Sequence, residues 1–226
     1  MGSGAAFFDL DRTLIRRSSA LALAPSFRRR GLISRGTLAR AAVWQILFAA
    51  RGANGQAVRR MTEGGMAVLR GFSVTEMQEL VAEAMEPVLK PLVYAEPLAL
   101  VSRHRERGEP VYIVSATLQE ILDALVAELG FDGALGSTGE VVDGVYTGRV
   151  LRALHHDAKA ACVRELAARE GYDLAASTAY SDSHSDLPFL EAVGHPVAVN
   201  PDRALRRVAL ERGWPILAFS ERAYAA

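Results

Sequence analysis

Short apolar runs alternate with helical patterns over residues 90–226, and this alternation restricts the possible folds more than any other feature of the chain. In chain order the pattern predicts a helix at 95–107, a strand at 111–115, a helix at 118–129, a hairpin-like stretch at 139–148, a helix at 158–170, a strand at 177–181, a helix at 186–193 and a strand at 196–199. Such alternation favours an α/β fold in which helices cover a parallel sheet. Ligands of these sheets bind beyond the carboxyl ends of the strands.

Two carboxylates follow the first apolar run of the chain. Phe7 and Phe8 lead directly into Asp9, and Asp11 comes two residues later. Side chains alternate along an extended chain, so the two carboxylates should project to the same side. Two like charges this close are costly to bury unless a cation lies between them or they share a proton. The pattern therefore indicates chemistry, although an Asx turn that caps the following helix would use the same residues.

Three later segments place further reactive side chains at the ends of predicted elements. Ser115 follows a run of β-branched residues, and Lys159 lies in the first turn of a predicted helix, where the helix dipole disfavours a cation. Asp182 and Asp186 are four residues apart after another predicted strand. Each segment alone also fits a structural role, as a strand-end cap, a solvated lysine or an acidic helix start. Together they indicate one site at one edge of the sheet.

The order of these motifs resembles a known family. Asp-x-Asp-x-Thr at 9–13, Ser115 after a strand, Lys159, and Ser-Asp-x-x-x-Asp at 181–186 are similar to the four motifs of the haloacid dehalogenase (HAD) superfamily, in its phosphoserine phosphatase-like branch. The resemblance covers the whole chain. It implies a Rossmann-like parallel sheet covered by helices, with a small helical cap inserted after the first strand.

The same resemblance implies how the chain divides. Residues 1–15 and 90–226 would form the HAD core, and residues 16–89, called the cap segment below, would form the cap. The cap segment is helical in pattern and is basic: residues 16–90 hold twelve Arg and Lys against five Glu. A basic lid above an acidic floor would attract anionic substrates. Most of these arginines also fit a simpler role, the solvation of outer helix faces.

The resemblance implies a magnesium-dependent phosphatase that hydrolyses a small phosphomonoester through an aspartyl-phosphate. Asp9 would be the nucleophile, and Asp11 would protonate the leaving group and later activate water. Mg²⁺ would be held by Asp9, the backbone carbonyl of Asp11 and Asp182, which are hard oxygen ligands. Asp186 would steady the metal's waters or Lys159. The implied phosphate-binding residues are Thr13, Ser115, Ala116 and Lys159.

The region after the first motif departs from the phosphoserine phosphatase pattern. Those enzymes carry a Glu there that meets the substrate amine, whereas this chain has Arg16-Arg17-Ser18-Ser19 and no acid between Arg12 and Glu63. An ammonium group would enter such a site without a counter-charge. We therefore expect phosphoserine to be a poor substrate, and Arg16, Arg17 and Ser18 to influence specificity toward neutral or anionic phosphomonoesters.

Composition excludes several other classes of protein. The net charge of zero argues against a general nucleic-acid binder, and the single cysteine, Cys162, excludes a disulfide framework. No basic and apolar leader resembles a signal peptide, so we expect a cytoplasmic enzyme. The apolar stretch at 38–50 is shorter than the ~20 residues of a membrane span and predicts a packed helix instead. The oligomeric state is not predictable from the sequence.

One alternative lies outside enzymes. A catalytically weak or inactive HAD protein could use its basic cap to bind a membrane surface or a protein partner. The complete acidic set at Asp9, Asp11, Asp182 and Asp186 argues against it, because decayed sites usually lose the nucleophile first. A haloacid dehalogenase would have no acid at position 11, so Asp11 favours phosphate chemistry.

Overall fold

The structure, a computed structural model, describes residues 2–33 and 55–224 of the chain. The predicted helix at 38–50 lies outside the described residues. The helices are α1 (Ser19–Arg29), α2 (Gly55–Val68), α3 (Val74–Ala84), α4 (Ala95–Glu106), α5 (Gln119–Leu129), α6 (Asp157–Glu170), α7 (Leu187–Leu190) and α8 (Arg203–Arg212). The strands are β1 (Ala6–Phe8), β2 (Val111–Leu118), β3 (Gly133–Val142), β4 (Val145–Arg152), β5 (Thr178–Ser181), β6 (His195–Val199) and β7 (Ile216–Leu217).

The seven strands form one sheet in the order β4-β3-β2-β1-β5-β6-β7. All neighbouring pairs are parallel except β3 and β4, which are antiparallel. The predicted α/β class with a helix-covered parallel sheet is thus confirmed. Strand β1 lies between β2 and β5, so the carboxyl ends of the three strands that carry the predicted motifs meet at one edge. The topology therefore brings the segments that follow Phe8, Val114 and Ser181 together.

The hairpin is where the local sequence determines the backbone most directly. The two central residues of its turn, Asp143 and Gly144, have φ values of 50° and 78°. This is the type I′ geometry that Asp-Gly favours, because the twist of the turn matches that of the strands. The hairpin predicted at 139–148 is present and longer, with strands from Gly133 to Arg152.

Two hydrophobic cores lie on the opposite faces of the sheet. Phe8 belongs to the first core and its neighbour Phe7 to the second, as the alternation along a strand requires. The second core packs β-sheet residues against α6, α7 and α8, with Val163, Phe189 and Leu205 fully buried. The first core contains residues of α4 and α5 together with buried residues of the cap segment.

The described part of the cap segment is joined to the hairpin by backbone hydrogen bonds. Gly71 N–H donates to the carbonyl of Tyr146, and Val74 N–H donates to that of Gly144, both at 2.9 Å. Tyr146 N–H donates in turn to the carbonyl of Phe72 at 2.9 Å. Helix α3 begins next to this contact and is capped by Ser73, whose hydroxyl accepts from Glu76 N–H in a capping box. Helices α2 and α3 are therefore fixed relative to β4.

Several predicted boundaries differ from the observed ones. Strand β2 runs to Leu118 rather than ending at Ser115. The helix predicted at 186–193 is a 3₁₀ turn, His184–Asp186, followed by the short α7, because Pro188 fits only the first turn of a helix. None of the helices in the described ranges is both long enough and apolar enough to cross a bilayer.

Candidate active site

Asp9 lies at the carboxyl end of β1, in the centre of the sheet. Its N–H donates to the carbonyl of Tyr180 on β5 at 2.9 Å, so the backbone is held as in a strand. The chain then turns sharply: Arg12 has a φ of 63°, and Leu14 N–H donates to the carbonyl of Leu10 at 2.9 Å. The side chain of Asp9 is only 8% exposed. The turn thus leaves a buried carboxylate at the floor of the sheet edge.

Lys159 connects two of the predicted carboxylates. Its Nζ donates to Oδ1 of Asp9 at 2.5 Å and to Oδ2 of Asp186 at 2.7 Å. The ammonium also lies 5.4 Å from the centre of the Phe189 ring. Oδ2 of Asp186 accepts a further hydrogen bond from the Ser181 hydroxyl at 2.7 Å. The cation in the first turn of α6 therefore has the anionic partners that its position requires.

Asp182 adds a third buried carboxylate to this cluster. It follows β5 and is 6% exposed, and its Oδ2 lies 4.0 Å from NH1 of Arg12. Burial and the negative charges of Asp9 and Asp186 raise the pKa of Asp182 to about 8. Burial also raises the pKa of Asp9 to about 7, although the Lys159 ammonium opposes the shift. The protein alone therefore leaves this negative charge incompletely balanced.

Asp11 faces the start of α1 rather than the lysine. Its Oδ1 accepts from Ser19 N–H at 2.8 Å, and the hydroxyls of Ser18 and Ser19 also bond to it. Burial raises the pKa of Asp11 above its ordinary value, and these hydrogen bonds limit the rise. The two carboxylates of the first motif therefore have different surroundings, one paired with a cation and one held by neutral donors.

The hydroxyl-rich end of β2 lies beside α1. Ser115 is buried, and its Oγ accepts from Thr117 N–H at 3.2 Å. The Thr117 hydroxyl lies 2.9 Å from that of Ser19, which links the second motif to the start of α1. The carbonyl of Ala116 accepts from the Ser137 hydroxyl at 2.8 Å. These contacts fix the backbone around Ser115.

Thr13 carries an unpaired hydroxyl at the same turn. The residue is fully buried, and its Oγ1 has no hydrogen-bond partner among the described residues. A buried hydroxyl without a partner loses about 1–3 kcal/mol of solvation. Such a group two residues from Asp11 is a donor available to a ligand.

The three predicted specificity residues, Arg16, Arg17 and Ser18, have different surroundings in the structure. The guanidinium of Arg16 lies 5.9 Å above the ring of Tyr94, where the chain returns from the cap segment. Arg17 is exposed, and Ser18 bonds to Asp11. The structure therefore brings Ser18 to Asp11 and places Arg16 on the ring of Tyr94, away from Asp11 and Ser18 in its contacts.

Sequence reasoning assigned no role to several residues that contact the predicted site residues. Ser19, Ser181 and Thr117 hold Asp11, Asp186 and Ser115 respectively. Ser181 opens the fourth motif, Thr117 lies two residues after Ser115, and Ser19 ends the run at 16–19, so the only available signal was a hydroxyl group in or near a predicted motif. The contribution of Ser19 through its backbone N–H depends on where α1 begins, which the side-chain pattern does not define.

Comparisons with known proteins identify the family of this chain. The model of the family described as haloacid dehalogenase-like hydrolase matches residues 6–191. An "inhibition of morphological differentiation protein" of Streptomyces azureus is 46% identical over 217 residues, which are 95% of this chain and 78% of the relative. A "probable phosphatase" of Mycobacterium tuberculosis is 42% identical, over 96% of this chain and 75% of its own. A phosphoserine phosphatase of the same species is 38% identical, over 96% and 71%.

A solved structure supports the fold independently. A Bordetella pertussis protein of unknown function superposes with a TM-score of 0.83 at 28% identity, and the match covers 96% of this chain and 99% of that protein. The match of the family model extends from β1 to the residue after α7, and so includes all four motifs. This chain therefore belongs to the haloacid dehalogenase-like hydrolase family, as a phosphatase of the phosphoserine phosphatase-like branch.

Proposed function

We propose that this enzyme hydrolyses a small phosphomonoester through a phosphorylated Asp9. The observation that carries the proposal is the contact of Asp9 and Asp186 with a single buried ammonium, that of Lys159, beside Asp182. A carboxylate whose Oδ1 is held by a fixed cation can present its second oxygen to phosphorus in a fixed direction. The mechanism of the family is consistent with this arrangement.

The proposed reaction has two steps. In the first, Asp9 Oδ2 attacks phosphorus, the bond from phosphorus to the ester oxygen breaks, and the carboxylic acid of Asp11 gives its proton to the leaving alkoxide. In the second, the Asp11 carboxylate takes a proton from water, whose oxygen attacks phosphorus and releases Asp9. The raised pKa of Asp11 favours the protonated form that the first step needs.

Lys159, Ser115 and Thr13 would bind the phosphoryl oxygens. Lys159 supplies a positive charge inside a buried site, where the effective dielectric constant is low and the charge acts strongly. The Ser115 hydroxyl is buried on β2, and the unpaired hydroxyl of Thr13 would gain its missing partner. The backbone of Ala116 would complete this set, and Asp186 would keep Lys159 in place.

The donor set fits Mg²⁺. No three Asp, Glu, His or Cys side chains in the described ranges converge as a metal centre, but Mg²⁺ is usually held by one or two carboxylates and several waters. Asp9, Asp182 and the backbone carbonyl of Asp11 would hold it. Burial and the neighbouring carboxylates raise the pKa values of Asp9 and Asp182, and a divalent cation would oppose both shifts. A bound Mg²⁺ would neutralise charge on the phosphoryl oxygens.

We further propose that the substrate's remainder is neutral or anionic. The run Arg16-Arg17-Ser18-Ser19 stands in the region where the phosphoserine phosphatases carry the substrate-binding Glu, and Glu76 is engaged in the capping box of α3. Arg17 is exposed and available to an anionic group, whereas Arg16 lies on Tyr94. The division into a core of residues 1–15 and 90–226 and a cap segment of 16–89, and the cytoplasmic location, remain predictions of the same kind.

The test is a panel of phosphomonoesters assayed with Mg²⁺ and ranked by kcat/KM. Phosphoethanolamine, glycerol phosphate and phosphoglycolate differ in the charge of the remainder, and L-phosphoserine adds the substrate of the relative named above. We expect the ammonium compounds to rank lowest. Ser18→Glu should raise their rank, and Ser18→Ala is its matched control. Phosphoserine as the best substrate of the wild type would contradict the specificity, and no turnover of any ester would contradict the function.

A further inference from the structure

Two adjacent histidines immediately precede α6, and their side chains contact different parts of the molecule. Nε2 of His155 lies 2.7 Å from the hydroxyl of Thr62 on α2. Nδ1 of His156 donates to the backbone carbonyl of Ser185 at 3.1 Å. The first histidine therefore connects the start of α6 to the cap segment, and the second connects it to the loop between Asp182 and Asp186.

Helix α2, which contacts His155 through Thr62, is held in place by packing and hydrogen bonds. Met66 of α2 and Leu69, the residue that follows the helix, are buried in the first core. Gly71, three residues after the end of α2, donates its N–H to the backbone carbonyl of Tyr146 on β4. Helix α2, which carries Thr62, is therefore packed on the hairpin of β3 and β4. The chain leaves this hairpin at Arg152 and reaches His155 three residues later. A contact to such an element restricts the position of α6.

The backbone of His156 is strained. Its φ is 49° and its ψ is −120°, a conformation that favours glycine. Strained residues of this kind cost about 1–3 kcal/mol and persist only where the surroundings over-determine them. The hydrogen bond to Ser185 is one of the interactions that hold the residue. This strained residue lies three residues before Lys159.

The histidines form the beginning of the helix that carries Lys159. Ala158 N–H donates to the carbonyl of His155 at 3.0 Å, and Lys159 N–H donates to that of His156 at 3.1 Å. Any movement of the two carbonyls moves the first turn of α6. Burial lowers the pKa of His155 to about 4, so a neutral imidazole stands near the ammonium and does not repel it.

We propose that His155 and His156 are positioning residues that brace the start of α6 between α2 and the loop at 182–186, and thereby set Lys159 for phosphate binding. The inference rests on the proposed function, in which Lys159 binds the phosphoryl oxygens. Neither histidine needs to touch the substrate. Displacements of about 1 Å at such a distance can cost up to a hundredfold in rate.

The test of His155 uses inorganic phosphate as a competitive inhibitor and as a ligand in calorimetry. His155→Phe and Thr62→Val each remove one partner of the contact, and each should weaken phosphate binding and raise KM by about tenfold. Thr62→Ser keeps the hydroxyl and should restore wild-type values. His195→Phe changes an exposed histidine at the opposite edge of the sheet and is the matched control. The melting temperature is measured for every variant.

A double variant separates positioning from general loss of structure. If the two side chains act through one contact, Thr62→Val in the His155→Phe background should have little further effect on phosphate affinity. Phosphate affinities within twofold of the wild type in both single variants would overturn the role of His155. Additive losses that follow the melting temperature would overturn it as well.

His156 is tested by two substitutions that both remove its ring. His156→Gly relieves the backbone strain and His156→Ala retains it, so the Gly variant should melt at the higher temperature. Both should bind phosphate more weakly than the wild type. Wild-type phosphate affinity in either variant would overturn the role of the ring. Because calorimetry does not require turnover, failure of this inference is distinguishable from failure of the phosphatase assignment.

Discussion

Two lysines of this protein each bridge two carboxylates: Lys159 in the candidate active site, and Lys90, the residue that follows the cap segment. Lys159 Nζ lies 2.5 Å from Asp9 and 2.7 Å from Asp186. Lys90 Nζ lies 2.5 Å from Glu86 and 2.6 Å from Glu128. In both cases the carboxylates raise the pKa of the lysine. The distances alone do not distinguish the two clusters.

Burial distinguishes them. The side chains of Lys159, Asp9 and Asp186 are 4%, 8% and 9% exposed, whereas Glu86 beside Lys90 is 75% exposed. Charges removed from water interact strongly with each other and with a ligand, but they are costly to maintain. Exposed pairs gain little because water and salt screen them. The same chemical arrangement is therefore buried in the candidate active site in one region and is a surface contact in the other.

The largest expected effect is that of Asp9→Asn. The substitution keeps the shape of the side chain and removes its nucleophilic charge, so kcat with an aryl phosphate should fall by about four orders of magnitude or more. The control is Asp123→Asn, which changes an exposed aspartate on α5. If Asp9→Asn kept activity within about tenfold of the wild type, a barrier change of roughly 1.4 kcal/mol, covalent catalysis by Asp9 would be wrong.

The comparison of the two lysines can be tested directly through stability. Lys159→Met leaves Asp9 and Asp186 buried without their cation, which should lower the free energy of unfolding by about 3–5 kcal/mol at pH 8. Lys90→Met should have an effect several-fold smaller, because its partners remain hydrated. Denaturant titrations of both variants supply the measurement. Equal losses would show that burial does not distinguish the two clusters.

Asp11→Asn should affect substrates unequally. Nitrophenolate leaves without protonation, whereas an alkoxide requires an acid. We expect kcat/KM for an alkyl phosphate to fall about a hundredfold further than for nitrophenyl phosphate, within the 10²–10⁴ range of general acid catalysis. The ratio of the two losses, measured on one enzyme preparation, is the readout. Equal losses would mean that Asp11 acts through the metal or the fold.

Mg²⁺ should stabilise the protein more at pH 8 than at pH 5. Asp9 and Asp182 have folded-state pKa values of about 7 and about 8, above the value of 3.8 of an unperturbed Asp. The metal-free folded state therefore binds more protons than the unfolded state, and it loses stability as the pH rises from the unfolded-state value to these folded-state values. At a hundredfold excess over Kd, bound metal contributes about 2.7 kcal/mol. Thermal melts with Mg²⁺ and with EDTA measure the difference. Asp182→Asn should abolish the shift, and an equal shift at both pH values would contradict the assignment.

The floor of the site was predictable from sequence, whereas its surroundings were not. Asp9 and Asp182 directly follow predicted strands, and the rule that parallel strands share a carboxyl edge was sufficient to bring them together. Residues 71–74 carry no periodicity, so their pairing with β4 had no local signal. The contact of Thr62 with His155 joins residues 93 positions apart and depends on that pairing. Local patterns therefore predict elements and their ends, but not which loop supports which helix.

The most direct test of a phosphorylated Asp9 uses the Asp11→Asn enzyme and nitrophenyl phosphate. This substrate forms the aspartyl-phosphate without an acid, but its hydrolysis needs Asp11 as a base, so the intermediate should accumulate. We predict a burst of one nitrophenolate per enzyme molecule and, after acid quench, a phosphoryl group on the peptide that contains Asp9. Mass spectrometry of the digested protein locates the group. No burst, or a phosphoryl group on any other residue, would contradict the mechanism.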